Sequence, residues 1–342
     1  MSESLTPRQM VKGLLRGIAP ARPLLVPIVF SLGARLENLP LRTFLGNATK
    51  ISNSLRQIRG HLRSDGVSCY FDPFLEAEAL GGALQWTAED RPPTLCWPEN
   101  SQKGELPNSL RSAEEAAKSG RVTVAAEVIR RLSSLRRDDS LLMAGVTGPF
   151  TLAARILQVE NNDGLYREDL TDSAVELAAA AITRISAAFV EAGANLIFIQ
   201  EGALPIFSAA SCEEWATLLA PALNTIRFFE ALPVLLLTNG RSFAANSEVI
   251  QGRDWDCVIC PALDEDFGAA SGMKIALKRE TLGVALPHEA FRPATGGEER
   301  YLNLRREVSE LHPSIVTTTG DLPAAADLNC LKKVLDDVSQ AN

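Results

Sequence analysis

The residues best placed for chemistry follow the apolar segments of the chain. Asp72 comes directly after the apolar run at residues 67–71, and a helical run at residues 75–80 follows it. In folds that alternate strand and helix around a parallel sheet, the C-terminal ends of the strands carry ligands and catalytic groups. An aspartate there accepts hydrogen bonds from N–H groups and acts as an acid when protonated. Asp72 is therefore a candidate catalytic residue, with simple capping of the next turn as the alternative.

Further polar side chains follow other apolar runs in the same way. The candidate ligand-binding residues are Ser31, Arg35, Arg155, Glu201, Asn239 and His288, within a wider set that includes Thr147, Gly148, Thr238, Thr319 and Asp321. An arginine at a cavity mouth pairs with carboxylates through its planar guanidinium group and stays charged. The two arginines therefore predict an anionic ligand, while Asp72 predicts that this ligand also has a cationic or N–H-bearing group.

Eight apolar runs must position these residues, and each is followed by helical material. The runs cover residues 24–30, 67–71, 141–150, 195–201, 233–240, 256–261, 281–287 and 314–320. The connections are too long for hairpins and suit parallel crossovers. Eight parallel strands predict a closed (β/α)8 barrel, a TIM barrel. An open doubly wound sheet is the alternative, but SLGARLEN after the first run lacks the glycine spacing of a dinucleotide site.

One barrel domain accounts for the whole chain of 342 residues. Residues 1–22 are predicted to form an N-terminal helical extension. Residues 87–108 contain four prolines among polar residues, which predicts a surface insertion that lies over the domain.

Composition excludes several classes of protein. The chain is 46% hydrophobic and 22% charged, as in globular proteins, and its net charge of -8 argues against nucleic-acid binding. The polar N-terminus does not predict a secretion signal, and no later run is predicted to span a membrane, so we expect a cytoplasmic protein. Six scattered cysteines predict free thiols. Cys257 and Cys260 form a C-x-x-C within an apolar run, which favours a core position over a redox or zinc site.

Four segments of the sequence resemble one family. These are DGVSCYFDPFLEAEALGG, GVTGPFTLAARIL, GANLIFIQEG and the closing TTTGDLP with LNCLKKVL. Their spacing resembles the uroporphyrinogen decarboxylase superfamily, which also contains the methylcobalamin-dependent methyltransferases, and the first segment is closer to the methyltransferases. The resemblance spans nearly the whole chain and implies a barrel with a deep cleft at the C-terminal ends of the strands.

Some functional residues of the decarboxylases have matching residues in this chain, and others are replaced or missing. Asp72 matches the aspartate that contacts the tetrapyrrole N–H groups in the decarboxylases, and Arg35 matches the second arginine of their N-terminal motif. Ser31 stands in place of the first arginine of that motif, Arg155 in place of a tyrosine and Gly202 in place of a serine. The C-terminal histidine of the decarboxylases has no counterpart.

The zinc ligands of the methyltransferase branch are also replaced. Those enzymes bind zinc through an H-x-C after the fifth strand and a later cysteine near the eighth. This chain has Leu237-Thr238-Asn239 and Thr319-Gly320-Asp321 at these two places. We therefore predict no metal site, with His288 and Glu201 as an unorthodox alternative.

Three functions are compatible with these observations. The first is a metal-free, decarboxylase-like lyase that acts on a carboxylated tetrapyrrole-like or other polyanionic small molecule and needs no cofactor. The second is a corrinoid-dependent methyltransferase without the zinc site, with a corrinoid as co-substrate and a corrinoid protein as partner. The third is a non-catalytic tetrapyrrole- or corrinoid-binding relative. None requires a nucleic acid or a membrane, and a homodimer is possible.

Overall fold

A computed structural model describes residues 5–97, 102–135, 140–159, 170–202, 204–251, 255–261, 282–291 and 312–340. The helical segments that the sequence predicts before Lys278 and at residues 298–311 lie outside these ranges.

The described residues form ten strands, twelve α-helices and one 3₁₀ helix. The strands are β1 (Leu24–Leu25), β2 (Gly66–Tyr70), β3 (Ala83–Gln85), β4 (Thr94–Cys96), β5 (Leu141–Thr147), β6 (Leu196–Glu201), β7 (Leu232–Leu237), β8 (Val258–Pro261), β9 (Leu282–Leu286) and β10 (Ile315–Thr318). The helices are α1 (Pro7–Leu14), α2 (Leu32–Leu36), α3 (Leu41–Leu45), α4 (Ala48–Leu62), α5 (Leu75–Ala79), α6 (Ala113–Ala116), α7 (Gly120–Leu135), α8 (Pro149–Ile156), α9 (Asp172–Glu191), α10 (Ala209–Phe228), α11 (Gly240–Gln251) and α12 (Leu328–Gln340), and the 3₁₀ helix is His288–Phe291.

Eight of these strands form one parallel sheet that curls into a nearly closed barrel. Their order is β1-β10-β9-β8-β7-β6-β5-β2, and every pairing between neighbours is parallel. The strands are almost entirely buried, as expected when side chains fill the barrel and helices cover its outside. The predicted TIM barrel is confirmed, and each of the eight predicted strands is present.

Side chains hold the two edge strands of this sheet together. Strand β1 is only two residues long, and Pro27 just beyond it lacks the N–H group that a backbone ladder needs. The Ser68 hydroxyl of β2 bridges the gap, since it donates to the Pro27 carbonyl at 2.9 Å and accepts from the Val29 N–H at 3.1 Å. This bridge sets the residues that follow the two strands, Ser31 and Asp72, at the same rim of the barrel.

The N-terminal extension and β8 are both packed into the core. Helix α1 starts with a capping box between Thr6 and Gln9 and buries three apolar side chains. Cys257 just before β8 and Cys260 on it are buried free thiols, and burial raises the pKa of each. A buried thiol with a raised pKa is unreactive, which agrees with the core position that the sequence predicts.

The segment at residues 87–108, predicted to be a surface insertion over the domain, contains a strand of its own. Its strand β4 pairs antiparallel with β3 to form a small hairpin. The buried Trp97 fixes the segment, because its indole N–H donates to the Arg155 carbonyl at 2.9 Å. Two of its prolines, Pro92 and Pro93, form part of the wall of the main cavity.

Within the described residues, helix α9 is long and apolar enough to cross a membrane by length and composition alone, a segment that the sequence analysis did not predict. An 18-residue window of this 20-residue helix has a mean hydropathy of 1.5. The helix packs against α8, α10 and β5 in the shell of the barrel, and 56% of the apolar window is buried there. These contacts are those of a core helix, whose apolar surface the barrel itself covers.

Candidate active site

A cavity of about 400 Å³ lies at the C-terminal ends of the strands, the edge that the sequence predicts to carry the site. Its volume is within the usual range for small-molecule sites. Its walls are mostly apolar, with a few polar groups. The lining residues are Phe30, Ser31, Leu41, Leu45, Phe71, Asp72, Pro73, Phe74, Pro92, Pro93, Gly145, Val146, Thr147, Gln200, His288, Gly320, Asp321 and Pro323.

Asp72 faces this cavity and also caps the turn that follows β2, so both sequence interpretations describe its position. Its Oδ1 accepts a hydrogen bond from the Phe74 N–H at 2.8 Å, the side-chain turn that aspartate commonly makes. Its Oδ2 forms an ion pair with Arg121, and its side chain is only 5% exposed. The carboxylate is therefore fixed in orientation by two bonds on two different atoms.

Arg121 is the partner of Asp72 that the sequence did not reveal. It lies at the start of α7, where its side chain is 11% exposed and its Nε donates to Glu78 at 2.6 Å. Burial lowers the pKa of Arg121, but Asp72, Tyr70 and Glu78 raise it more strongly, so the guanidinium stays charged. The sequence predicts one helix over residues 113–135, but the structure has two, α6 and α7. Gly120, with a φ of +46°, lies at the break between them, and this glycine is the local sequence signal that could have indicated a special position for Arg121.

Asp321 brings a second carboxylate to the cavity beside Asp72. It accepts hydrogen bonds from the N–H groups of Phe30 at 2.7 Å and Ser31 at 2.9 Å. Burial, with a smaller contribution from the charge of Asp72, raises the pKa of Asp321 to about 6 against these hydrogen bonds. Asp321 is thus a carboxyl group that can hold a proton close to neutral pH.

Ser31 and His288 lie in the cavity wall as predicted. The Ser31 hydroxyl donates to the Leu322 carbonyl at 3.4 Å, which is a weak bond. The Nδ1 atom of His288 is 2.9 Å from the Thr319 hydroxyl, and this contact orients the ring beside Gly320. Both side chains can therefore contact a ligand in this cavity.

Gln200 enters the cavity from β6, and sequence analysis did not select it. On the neighbouring strand β5, Gly145 leaves room for this side chain, since an added Cβ there would be 2.7 Å from the Gln200 amide nitrogen and from the Phe71 ring. Only glycine allows these two side chains to approach so closely. Gly145 thereby sets the shape of the cavity floor.

Arg155 lies beside the cavity wall and not in it. Its Nη1 donates to the Pro73 carbonyl and to the Thr147 hydroxyl, at 3.1 Å for the latter. Its guanidinium also lies over the Phe74 ring at 5.5 Å from the centroid, a cation–π contact. Pro73, Phe74 and Thr147 all line the cavity, so Arg155 borders it from behind.

Arg35 lies elsewhere, and the prediction that it shares a cavity with Asp72 is corrected. It is exposed on α2 and lines a separate surface depression with Gln57, His61 and Asp327. The face of α2 that turns inward is fixed at Gly33, where a Cβ would meet Ser54 and Phe44. Arg35 therefore points away from the barrel mouth.

Glu201 is buried outside the cavity and serves as the cap of α8. Its carboxylate accepts bonds from the N–H groups of Phe150 at 3.1 Å and Thr151 at 2.9 Å and from the Thr151 hydroxyl at 2.5 Å. Burial raises its pKa to about 7 despite these bonds and the nearby charge of Arg155. This position corrects the ligand-binding role predicted for Glu201.

Asn239 is half-buried before α11, and its carbonyl accepts the Phe243 N–H at 3.1 Å. It is not among the described residues that line the cavity. Its predicted role in ligand binding remains a prediction.

Glu76 is the second titratable residue that sequence analysis missed. It is 1% exposed, and its Oε2 accepts a hydrogen bond from the Thr147 hydroxyl at 2.9 Å. Its Oε1 has no hydrogen-bond partner within the described ranges. Burial raises the pKa of Glu76 to about 7, against the backbone N–H groups, Thr147 and Arg155, which lower it.

We expect Glu76→Gln to stabilise the protein at alkaline pH and to have little effect at acidic pH. Because folding raises the pKa of Glu76 from 4.5 to about 7, its contribution is fully present below pH 4.5 and is lost as the pH rises through 7. The uncharged variant avoids this loss, so above pH 7 it should gain on the order of 2–4 kcal/mol over wild type. Denaturant unfolding over a pH series measures the difference. Glu214→Gln, at an exposed position on α10, is the control and should show no such pH-dependent gain.

The positions that correspond to the family's zinc ligands do not form a zinc site here. Both oxygens of Asp321 accept backbone N–H groups, and Thr238 donates through its N–H and hydroxyl to the Glu201 carbonyl at 3.0 and 3.3 Å. No group of three or more His, Cys, Asp or Glu side chains within the described ranges is placed to hold a metal ion. The residues present therefore do not fit zinc.

The fold is that of a TIM-barrel protein, with a cavity at the C-terminal ends of its strands. The model of the family described as uroporphyrinogen decarboxylase (URO-D) matches residues 7–241. The chain therefore belongs to the uroporphyrinogen decarboxylase family, as its motifs predict. No curated protein matches the sequence.

Two solved structures show how far the fold is shared. A methyltransferase from Methanosarcina mazei has a TM-score of 0.77 and 15% identity, with 98% of this chain and 99% of that chain covered. A B12-independent methionine synthase from Shewanella sp. W3-18-1, in complex with selenomethionine, has a TM-score of 0.53 and 12% identity, with 88% and 87% covered. At these identities the similarity shows the fold alone.

Proposed function

We propose that this protein is a decarboxylase-like lyase that acts, without a metal, on a carboxylated small molecule with ring N–H groups, of the tetrapyrrole type. The observation that carries the proposal is the pair of carboxylates, Asp72 and Asp321, in one apolar cavity. They are the charged residues among the described lining residues. An N–H-bearing ring complements such a site, because carboxylates accept hydrogen bonds from N–H groups and the apolar walls cover the ring faces.

The two carboxyl groups suit two different roles. Asp72 is held by Arg121 and the Phe74 N–H, so it acts as a fixed acceptor for ring N–H groups and stabilises positive charge that develops on the ring. Decarboxylation leaves the bonding electron pair on carbon, and a proton must replace the lost CO2. Asp321, with its pKa raised to about 6, can supply that proton.

A carboxylate of the substrate would bind near Arg155. That guanidinium is already bonded to the wall residues Pro73 and Thr147 and lies against Phe74. A substrate carboxylate at this wall would be attracted by the positive charge of a guanidinium that lies behind the wall and whose position is set in advance. The proposal retains the anionic substrate but needs only this one of the two predicted arginines.

A thermal-shift screen tests the proposed substrate class. The probes are uroporphyrinogen, coproporphyrinogen and pyrrole-2-carboxylate, with a corrinoid and a folate for comparison. A ligand that binds the folded state raises the melting temperature by mass action. The proposal expects a shift with the N–H-bearing carboxylates and a smaller shift for Asp72→Asn. A shift with the folate alone, or equal shifts in wild type and variant, contradicts it.

A corrinoid-dependent methyltransferase is the second candidate. It is favoured by the similarity in fold to the Methanosarcina mazei methyltransferase over the full length of both chains. Such a function would use a corrinoid as co-substrate, delivered by a corrinoid protein. A thermal shift with the corrinoid and none with the pyrrole compounds supports this candidate, and binding without turnover supports a non-catalytic relative.

We expect the purified protein to contain no stoichiometric zinc. The positions where the methyltransferases of the family have zinc ligands are occupied here by Leu237, Asn239 and Gly320. None of these side chains is a usual zinc donor. Elemental analysis after expression in zinc-supplemented medium measures the content. One zinc per chain that resists mild chelation would show that other residues form a site.

A further inference from the structure

Glu76 and Thr147 form a buried polar pair behind the cavity wall. Thr147 lines the cavity, and its hydroxyl donates to Oε2 of Glu76 at 2.9 Å. The other carboxyl oxygen, Oε1, is buried and has no hydrogen-bond partner within the described ranges. Burying an oxygen without a hydrogen-bond partner costs desolvation free energy. A purely structural role would not need this oxygen, which suggests that Glu76 has a further role.

The surroundings of Glu76 allow its carboxyl group to change protonation state. Burial raises the pKa to about 7, and the N–H groups of Glu76 and Thr147, the Thr147 hydroxyl and the charge of Arg155 lower it only in part. Helices α7 and α8 and strand β5 pack against α5, and Arg155 of α8 is the charged group in the described structure that acts on this carboxyl. A carboxyl group with a pKa near 7 can both accept and release a proton under neutral conditions.

The Thr147 hydroxyl connects this carboxyl to the cavity. A hydroxyl has one proton to donate and two lone pairs to accept with. The proton goes to Glu76 at 2.9 Å, because the other acceptor in reach, the Pro73 carbonyl, is 3.4 Å away, and Arg155 Nη1 takes one lone pair at 3.1 Å. One lone pair thus remains for a donor in the cavity.

We propose that Thr147 and Glu76 form a proton relay between the cavity and a buried carboxyl group. In the forward step a ligand O–H or N–H bond breaks, its electron pair stays on the ligand atom, and the proton binds Thr147 Oγ1. At the same time the Thr147 O–H bond breaks, and its proton binds Glu76 Oε2. The reverse step returns a proton to the ligand. Glu76 does not touch the ligand, so it is a positioning residue that holds the proton. The relay rests on the proposed function only for the identity of the ligand.

Infrared titration of the unliganded protein tests the relay without any substrate. In wild type, a carboxylic-acid carbonyl band should disappear as the pH rises through about 7. Because Glu201 and Asp321 also titrate near neutral pH, the band of Glu76 is identified as the one lost in Glu76→Gln, in the difference spectrum between wild type and this variant. Thr147→Val removes the hydroxyl and keeps the shape of the side chain, so the band should remain but exchange its proton roughly ten- to a hundred-fold more slowly after a pH jump. Thr147→Ser, which keeps the hydroxyl, should exchange at the wild-type rate.

Two results overturn the relay. One is a difference spectrum between wild type and Glu76→Gln that contains no titrating carboxylic-acid band, and the other is equal exchange in Thr147→Val and Thr147→Ser. The comparison of these two threonine variants retains Glu76, so it decides the matter even if Glu76→Gln does not fold. The infrared test uses no ligand, so its result is independent of the thermal-shift screen. The relay can pass while the screen with pyrrole-2-carboxylate and the porphyrinogens refutes the proposed substrate class. The relay can also fail while the screen supports that class.

Discussion

Replacing Asp72 with asparagine should lower turnover by roughly a hundred-fold or more, the effect expected when a positioned acid–base or electrostatic group is removed. The amide keeps the shape of the side chain and an oxygen that can accept the Phe74 N–H, so the turn after β2 should still form. It removes the negative charge that faces the ring N–H groups of the substrate. The measurement is kcat/KM on the first substrate that the screen identifies.

The matched control for this variant is Asp336→Asn, an aspartate exposed on α12 away from the cavity. Its kcat/KM should equal that of wild type. Circular dichroism spectra should show that both variants are folded. If Asp72→Asn turns over the substrate like the control, then Asp72 is a turn-forming residue only, and the proposed mechanism is wrong.

Replacing Arg121 with leucine should destabilise the protein by about 3–5 kcal/mol, the range for removing one partner of a buried ion pair. The change leaves Asp72, which is 5% exposed, without its counter-ion and also removes the bond to Glu78. The loss is a desolvation effect, because an uncompensated charge stays buried. Denaturant unfolding measures the change in the free energy of unfolding.

Helix α7 itself supplies the control for this substitution. Arg130 pairs with Glu127 on the exposed side of the same helix, with 61% of its side chain exposed. Arg130→Leu should change the stability by less than about 1 kcal/mol, as for other exposed pairs. The double variant with Asp72→Asn and Arg121→Leu should recover part of the loss, since no buried charge remains. Equal stability of Arg121→Leu and Arg130→Leu would show that the buried ion pair between Arg121 and Asp72 does not stabilise the protein.

The barrel could be predicted because its strands are buried on both faces. Such strands are continuous apolar runs in the sequence, and the residues after each run then fall at one rim. That reasoning found Asp72, Ser31 and His288 correctly at the cavity wall. It needed no knowledge of which helices pack where.

The errors arose where side-chain direction mattered. Successive residues of a strand point to opposite faces, so Gln200 enters the cavity while Glu201 turns outward to α8. The direction of Arg35 depends on how α2 packs against α4, which an isolated five-residue helix does not encode. Arg121 reaches Asp72 across 49 positions of the chain, a contact set by tertiary packing alone.

The serine bridge between β1 and β2 has a consequence for how the molecule moves. A seam formed by the Ser68 hydroxyl, by the two bonds between Asp65 and Leu25 and by a two-residue strand is less cooperative than the continuous ladders elsewhere in the barrel, so local opening should begin there. Phe30 and Ser31 lie just beyond this seam and contact the cavity. The amide hydrogen of Val29, which donates to Ser68, should exchange with solvent early in the free protein and more slowly once a ligand fills the cavity, which makes the seam a natural reporter of occupancy.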